Sequence, residues 1–194
     1  MKETINIKRK EFVVLEHIGE NSFKVERKGK IYFLKQYQRR DDFNDFVKNS
    51  HRLKITAIDI PKVYMFDKDK MISVVDFIEG EKVIDIMLKN EPLDEEIYKG
   101  LMLDEWYARR ERIRIELAPD QFIFNGKKLY YYSYEVGEVE KDYNFVMKDL
   151  KLWFMTKEFV RYAANKGIKV DEKLIGNEYA TNKQMALMAV KYYQ

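Results

Sequence analysis

Apolar and polar residues alternate with a period of two in two stretches between residues 22 and 37, and after residues 79–81 the pattern becomes helical, with a period near 3.6. Residues 12–18 read as a strand stopped by Gly19. Residues 22–27 and 30–37 alternate about a Lys28-Gly29 turn, so Phe23, Val25, Ile31 and Phe33 are expected to share the buried face of a hairpin. Residues 39–53 are polar with Phe43, Phe46 and Val47 at helical spacing, which predicts a short amphipathic helix. Pro61 ends the linker after it, and residues 62–66 and 71–78 read as two more strands around an Asp67-Lys-Asp turn. The expected unit is therefore a five-stranded antiparallel sheet with one inserted helix, occupying residues 11–79.

Glu79-Gly80-Glu81 marks the change of period. Residues 83–88 predict a short helix, and residues 95–111 a longer one with Ile97, Leu101 and Met102 on its apolar stripe. Asn125-Gly126 between two short apolar runs is a strong hairpin signal. Residues 143–164 carry apolar side chains on more than one side, notably Leu152, Met155, Phe159 and Ala163 with Leu150 and Trp153 nearby. They predict one central helix, stopped by Gly167. Residues 178–193 predict a closing helix with Met185, Met188, Ala189 and Tyr192 inward. The fold class is α+β, with a β-rich part over residues 1–79, a mainly helical part over 80–194, and a connector around 78–82.

Composition narrows the function classes. A chain of 194 residues with 46% hydrophobic and 36% charged residues has enough of both for a soluble core and surface. No apolar run approaches the roughly 20 residues of a membrane-crossing helix, and the first residues lack the apolar centre of a secretory signal. A cytoplasmic protein with no membrane partner is expected. No cysteine is present, which removes disulfides, thiolate metal sites and cysteine nucleophiles. His17 and His51 are the two histidines, too few for a histidine-rich metal site. None of the four serines stands in a Gly-x-Ser-x-Gly turn, and no P-loop or dinucleotide fingerprint occurs. The net charge is +3, with 14 Lys/Arg against 8 Asp/Glu in the first 54 residues. The densest basic cluster, Arg109-Arg110-Glu-Arg112-Ile-Arg114, carries interleaved acids and reads as a solvated helix end rather than a nucleic-acid surface.

The chemistry-bearing stretch is Arg114-Ile-Glu-Leu-Ala-Pro-Asp-Gln121 and the hairpin behind it, which ends in Tyr132-Ser-Tyr-Glu135. A loop with a carboxylate and an amide five residues apart leads into a hairpin that returns polar residues toward it. Together with Ile18-Gly-Glu-Asn-Ser-Phe-Lys-Val25, Tyr32-Phe-Leu-Lys35 and Val74-Val-Asp-Phe-Ile-Glu-Gly-Glu81, nearly the whole chain resembles the protein-kinase-like fold, at the size of its small RIO and aminoglycoside-kinase-like members. The resemblance implies a two-lobed molecule with a nucleotide cleft. It implies that Gly19 lies in the loop over the phosphates and that Lys35 is the phosphate lysine. The Asp76 carbonyl and the Ile78 amide would meet adenine, and Glu81 the ribose. Glu116 would stand for the catalytic aspartate and Gln121 for the metal-binding asparagine. The metal aspartate falls on Ser133, with Glu135 as the nearest carboxylate that could reach a metal in its place.

Measured against that pattern, most of the chemistry has been exchanged. Glu116 and Gln121 are each one methylene too long, and a displacement of roughly 1 Å in a positioned catalytic group can cost on the order of 10²-fold in rate. A serine hydroxyl does not neutralise magnesium-phosphate as a carboxylate does. No glutamate occurs between residues 36 and 78 to pair with Lys35, leaving Asp42 or Asp45 as shorter substitutes. The expectation is a kinase-like protein with degenerate catalytic motifs, a pseudokinase that binds ATP with or without magnesium, or binds an unidentified protein partner. The alternatives are an active atypical ATP-dependent kinase for serine/threonine or small-molecule hydroxyls, and a structural or nucleic-acid-associated module. All of these kinase roles require Lys35 and Glu116 to face one groove.

Overall fold

The computed structural model describes residues 3–140 and 143–192. Its first half is a six-stranded antiparallel sheet built from β1 (Thr4–Ile7), β2 (Lys10–Gly19), β3 (Ser22–Arg27), β4 (Lys30–Gln36), β5 (Val63–Asp67) and β6 (Ile72–Asp76), in the order β1-β2-β3-β4-β6-β5. Helix α1 (Arg40–Lys54) lies between β4 and β5 in sequence and buries Phe43, Phe46 and Leu53. The five strands expected from the pattern are six. The extra one, β1, pairs with β2 through a turn in which Lys8 and Arg9 take φ of 44° and 65°. That turn ordinarily advertises itself with Asn or Gly, and here two basic residues hide it. Ile7 and Phe12 are fully buried by the pairing.

The buried face of the β3–β4 hairpin also differs from expectation. A two-residue loop at Lys28-Gly29 pairs Val25 with Tyr32 and Phe23 with Leu34, so odd positions on one strand share a face with even positions on the other. Phe23, Val25, Tyr32 and Leu34 join Ile7, Phe12, Ile72 and Val74 in a small core on one side of the sheet. Phe33 belongs to the other side and packs against the main core, and Ile31 shares that parity. A one-residue change of register always exchanges the faces in this way.

After the connector come β7 (Glu81–Lys82), α2 (Val83–Leu88), α3 (Glu95–Arg110), β8 (Ile113–Ile115), β9 (Phe122–Phe124), β10 (Leu129–Tyr131) and β11 (Val136–Glu138). Asp94 caps α3 by accepting from the Glu96 amide at 2.9 Å. Strands β9 and β10 form the expected Asn125-Gly126 hairpin, with Gly126 at φ +85°, and β7 adds to it along β9. Strand β11 returns alongside β8. The connector touches this hairpin closely: a Cβ on Gly80 would lie 2.5 Å from the Phe124 carbonyl oxygen.

The single helix expected over residues 143–164 is broken into α4 (Phe145–Lys148), a 3-10 turn (Leu150–Trp153) and α5 (Lys157–Asn165). Phe154 is extended, and the Thr156 hydroxyl caps α5 by accepting from the Phe159 amide at 3.1 Å. Buried Trp153 donates its indole N–H to the Leu117 carbonyl at 2.8 Å, which draws the chain toward the loop after β8. Apolar residues on several sides thus reflect a folded-over segment rather than a central rod. Gly167 ends α5 at φ +76°, as expected. Helix α6 (Glu178–Tyr192) closes the described chain with Met185 buried, and Met188 and Tyr192 packed on the core, while residue 193 lies outside the described residues. Among the described residues no helix is long and apolar enough to cross a membrane.

Candidate functional site

The β2–β3 turn, the end of β4, α1, the end of β8 and the segment joining β10 to β11 converge on a cleft of about 1030 Å³. Lys35 and Glu116 both line it, as do Ser133 and Glu135. The groove demanded by the kinase comparison therefore exists, with the lysine on the sheet side and the glutamate on the helical side. Register explains the lysine: β4 pairs Lys35 with Ser22 and with Ser73, at the strand end nearest α1. Its ammonium sits 4.9 Å from the centre of the Tyr37 ring, and it makes no ion pair among the described residues. Asp42 and Asp45 line the same cleft without pairing to it. Burial pushes the Tyr37 phenol up to about 12, so that ring stays neutral beneath the cation.

Five carboxylates, Glu20, Asp42, Asp45, Glu116 and Glu135, line the cleft against three cations, Lys35, Lys48 and Arg114. Arg114 is engaged by Glu140 and lies 5.1 Å from the Tyr143 ring centre. The balance is unfavourable for a bare polyphosphate.

The loop from Glu116 to Gln121 is held rigidly. Leu117, Ala118 and Pro119 are buried, and Pro119–Gln121 form a 3-10 turn. Buried Tyr131 donates its hydroxyl to the Glu135 carbonyl at 2.7 Å and accepts from the Glu116 amide at 3.4 Å, which ties the loop to the return of the hairpin. The carboxylates of this loop look toward α5. Tyr162 offers its hydroxyl to Asp120 at 2.5 Å and to Glu116 at 3.1 Å. Lys166, one helical turn further on, brings its ammonium to 3.4 Å from Asp120 and 3.9 Å from Glu116. Burial, followed by the hydrogen bond to Asp120, holds the Tyr162 phenol above its ordinary range, so it is a donor here and not a base. Gln121 turns its amide nitrogen to Asp120 at 3.0 Å and does not line the cleft.

Asp120, Tyr162 and Lys166 were not singled out from the sequence. The i, i+4 spacing of tyrosine and lysine is the one local signal they carry, and nothing local says that it meets a loop more than 40 residues earlier.

The residues expected to hold the nucleoside do not gather at this cleft. Asp76, Ile78 and Glu81 are absent from its lining. Asp76 forms an ion pair with Lys30 at 2.8 Å, and Glu81 one with Lys89 at 2.5 Å. Gly19 pairs with Ser22 at the hairpin end, and a Cβ there would meet only the Ser22 Cβ at 3.8 Å. No close backbone approach requires glycine at that position.

Magnesium, which the fold resemblance implies, fits these donors poorly. Ser133 stands where a carboxylate is required, and Gln121 points away. Glu116 already has an ammonium and a hydroxyl beside it, which leaves Glu135 as the remaining acid on that wall. Among the described residues no group of three or more Asp, Glu or His is placed to hold a metal ion. A hard cation asks for more oxygen than this.

No family model matches this sequence, and no curated protein matches it. Among solved structures, a chain of the crystal structure of the yeast RNA Pol II CTD kinase CTDK-1 complex is similar, with a TM-score of 0.52 at 10% identity, over 67% of this chain and 47% of that one. The protein thus spans about half the length of that chain. The likeness is one of fold, and the fold is kinase-like.

Proposed function

We propose that this protein is a pseudokinase: a kinase-like scaffold that binds through its cleft without transferring phosphate. One observation carries the reading. The glutamate in the position of the catalytic base shares the Tyr162 hydroxyl with Asp120 and lies 3.9 Å from the Lys166 ammonium. A general base must reach the proton it abstracts with a free lone pair, at roughly 2.6–3.2 Å. Here both contacts fall on Oε1 of Glu116 and hold its carboxylate toward helix α5. The missing carboxylate at Ser133 and the diverted amide of Gln121 act in the same sense, because phosphoryl transfer rests almost wholly on positioning and charge neutralisation. Incubating the purified protein with γ-labelled ATP and magnesium is the test. The expected outcome is no label on the protein or on added hydroxyl acceptors above buffer. Label that disappears in both Lys35→Ala and Glu116→Ala would overturn the reading.

An active atypical kinase is the second reading, favoured by Lys35, Glu116 and Glu135 lining one cleft. The same assay separates the two. The basic cluster at the end of α3 supports nucleic acid less well. Arg110 pairs with Glu111 and lies over the Trp106 and Tyr107 rings, Arg109 pairs with Glu105, and Arg114 pairs with Glu140. Its charge is largely compensated within the chain.

A further inference from the structure

We propose that the surface on which adenine would lie is filled by this chain's own Lys24 and Phe33, so that the cleft takes no adenine nucleotide and its ligand belongs to another class. The inference rests on the kinase-like reading of the cleft and goes beyond it, since a pseudokinase is free to bind ATP.

Strand register places the obstruction. Phe33 is two residues before Lys35 on β4 and therefore on the same, cleft-facing side of the sheet. It stands opposite Lys24 on β3 and opposite Val75 on β6, so the three side chains form one row across that side. The row runs to the connector, where the Lys24 ammonium lies 4.5 Å from the centre of the Phe77 ring. Phe33 itself packs against the main core. A planar base held by the Asp76 carbonyl and the Ile78 amide would have to lie against this row. Its arrival would pull a cation off an aromatic face and push a phenylalanine out of packed surroundings. Both contacts favour the closed state.

The connector has no slack to offer instead. Gly80 approaches Phe124 so closely that even a methyl group would sit 2.5 Å from its carbonyl oxygen and 2.8 Å from Ile123 Cγ2. Strand β7 follows at once and pairs with β9 through Glu81–Phe124 and Lys82–Ile123. The connector is therefore pinned to the helical half through β7, while the Lys24 ammonium lies against its Phe77 ring. Residues 76–81 contribute nothing to the lining of the open cleft, which begins at Lys35.

Adenosine is the discriminating probe, because it carries the base and no phosphoryl group to transfer. Calorimetric titration of the wild-type protein with adenosine should give no saturable heat up to millimolar concentration. The double variant Lys24→Val, Phe33→Ala should gain saturable binding at least tenfold tighter than any wild-type response. Lys24→Val with Phe33→Val is the gentler pair should the first fail to give the wild-type circular dichroism, and it should gain binding in the same direction. Saturable adenosine binding by the wild type would overturn the proposal while leaving the absence of phosphate transfer untouched. Folded variants of both pairs that stay silent would overturn it as well, since the row of side chains would not be what excludes the base.

Discussion

Asp104 shows at a single residue how far burial can depart from sequence appearance. In the sequence it is one acid among several on an amphipathic helix, next to Glu105. In the structure both are buried, and Asp104 Oδ2 has no hydrogen-bond partner among the described residues. Burial, reinforced by the nearby charge of Asp59, holds the Asp104 carboxyl well above the usual carboxylate range. For an acid whose pKa is higher in the folded state, the folded protein binds the extra proton. Stability from this group is then fully present below its unfolded value near 3.8 and declines as pH rises through the folded value. Asp104→Asn should therefore raise the melting temperature, by more at pH 8 than at pH 5, with a gain of about 1–3 kcal/mol at the higher pH. Paired thermal melts of wild type and variant at the two pH values check it. An equal gain at both, or a loss, would mean that the carboxylate is better solvated than its surroundings indicate. The site residues divide along the same line. Lys35 and Glu116 were legible because each sits in a local motif. Tyr162 and Lys166 were not, because their meaning depends on a contact spanning more than 40 residues.

Elements were legible wherever a local signal fixed their ends, and obscure wherever a distant contact did. Asn125-Gly126, Lys28-Gly29 and Gly167 ended their elements as the pattern implied. The break in residues 143–164 was hidden because its cause, the indole of Trp153 seeking the Leu117 carbonyl, lies outside the segment. Thr156 was the available clue, a strong capping residue inside an apolar stretch. Strand β1 was hidden for the opposite reason, since its turn at Lys8 and Arg9 uses residues that do not ordinarily mark turns. Gly80 is the position where an element depends most visibly on one residue. Its φ lies outside the left-handed region, so the demand is for space alone. Gly80→Ala should cost about 1–3 kcal/mol, the usual range for forcing atoms into filled space. Urea denaturation reads that change, and Gly19→Ala, where only the Ser22 Cβ comes within 4 Å, serves as the neutral control. Equal effects from the two substitutions would show that the connector gives way easily, and would weaken the case that it is pinned to the helical half.

Across the whole molecule, the sheet half and the helical half share one core rather than meeting at a wet hinge. A single apolar cluster contains Tyr37, Phe43, Phe46 and Val75 from the first half with Leu101, Phe122, Tyr134 and Trp153 from the second. The Phe46 and Tyr134 rings meet edge to face at 5.0 Å. Tyr134 donates its hydroxyl to the Pro61 carbonyl, and the Tyr131 amide donates to the Asp59 carbonyl at 2.9 Å, so the linker after α1 is bonded to the second half. The change of period at Glu79-Gly80-Glu81 falls between β6 and α2, yet periodicity carries no information on whether two architectures bury each other's surface. Shared burial on this scale couples their unfolding. Trp106 and Trp153 both lie in the second half, whereas far-ultraviolet dichroism reports the helices and strands of both halves. Denaturant titrations followed by tryptophan fluorescence and by dichroism should therefore coincide in one transition. Phe46→Ala, which removes a nearly buried ring from the meeting surface, should lower both midpoints together by about 3–5 kcal/mol. Separate transitions, or a Phe46→Ala effect seen by dichroism alone, would make the halves independent domains and leave the cleft between them without the rigidity that every role assigned to Lys35 and Glu116 assumes.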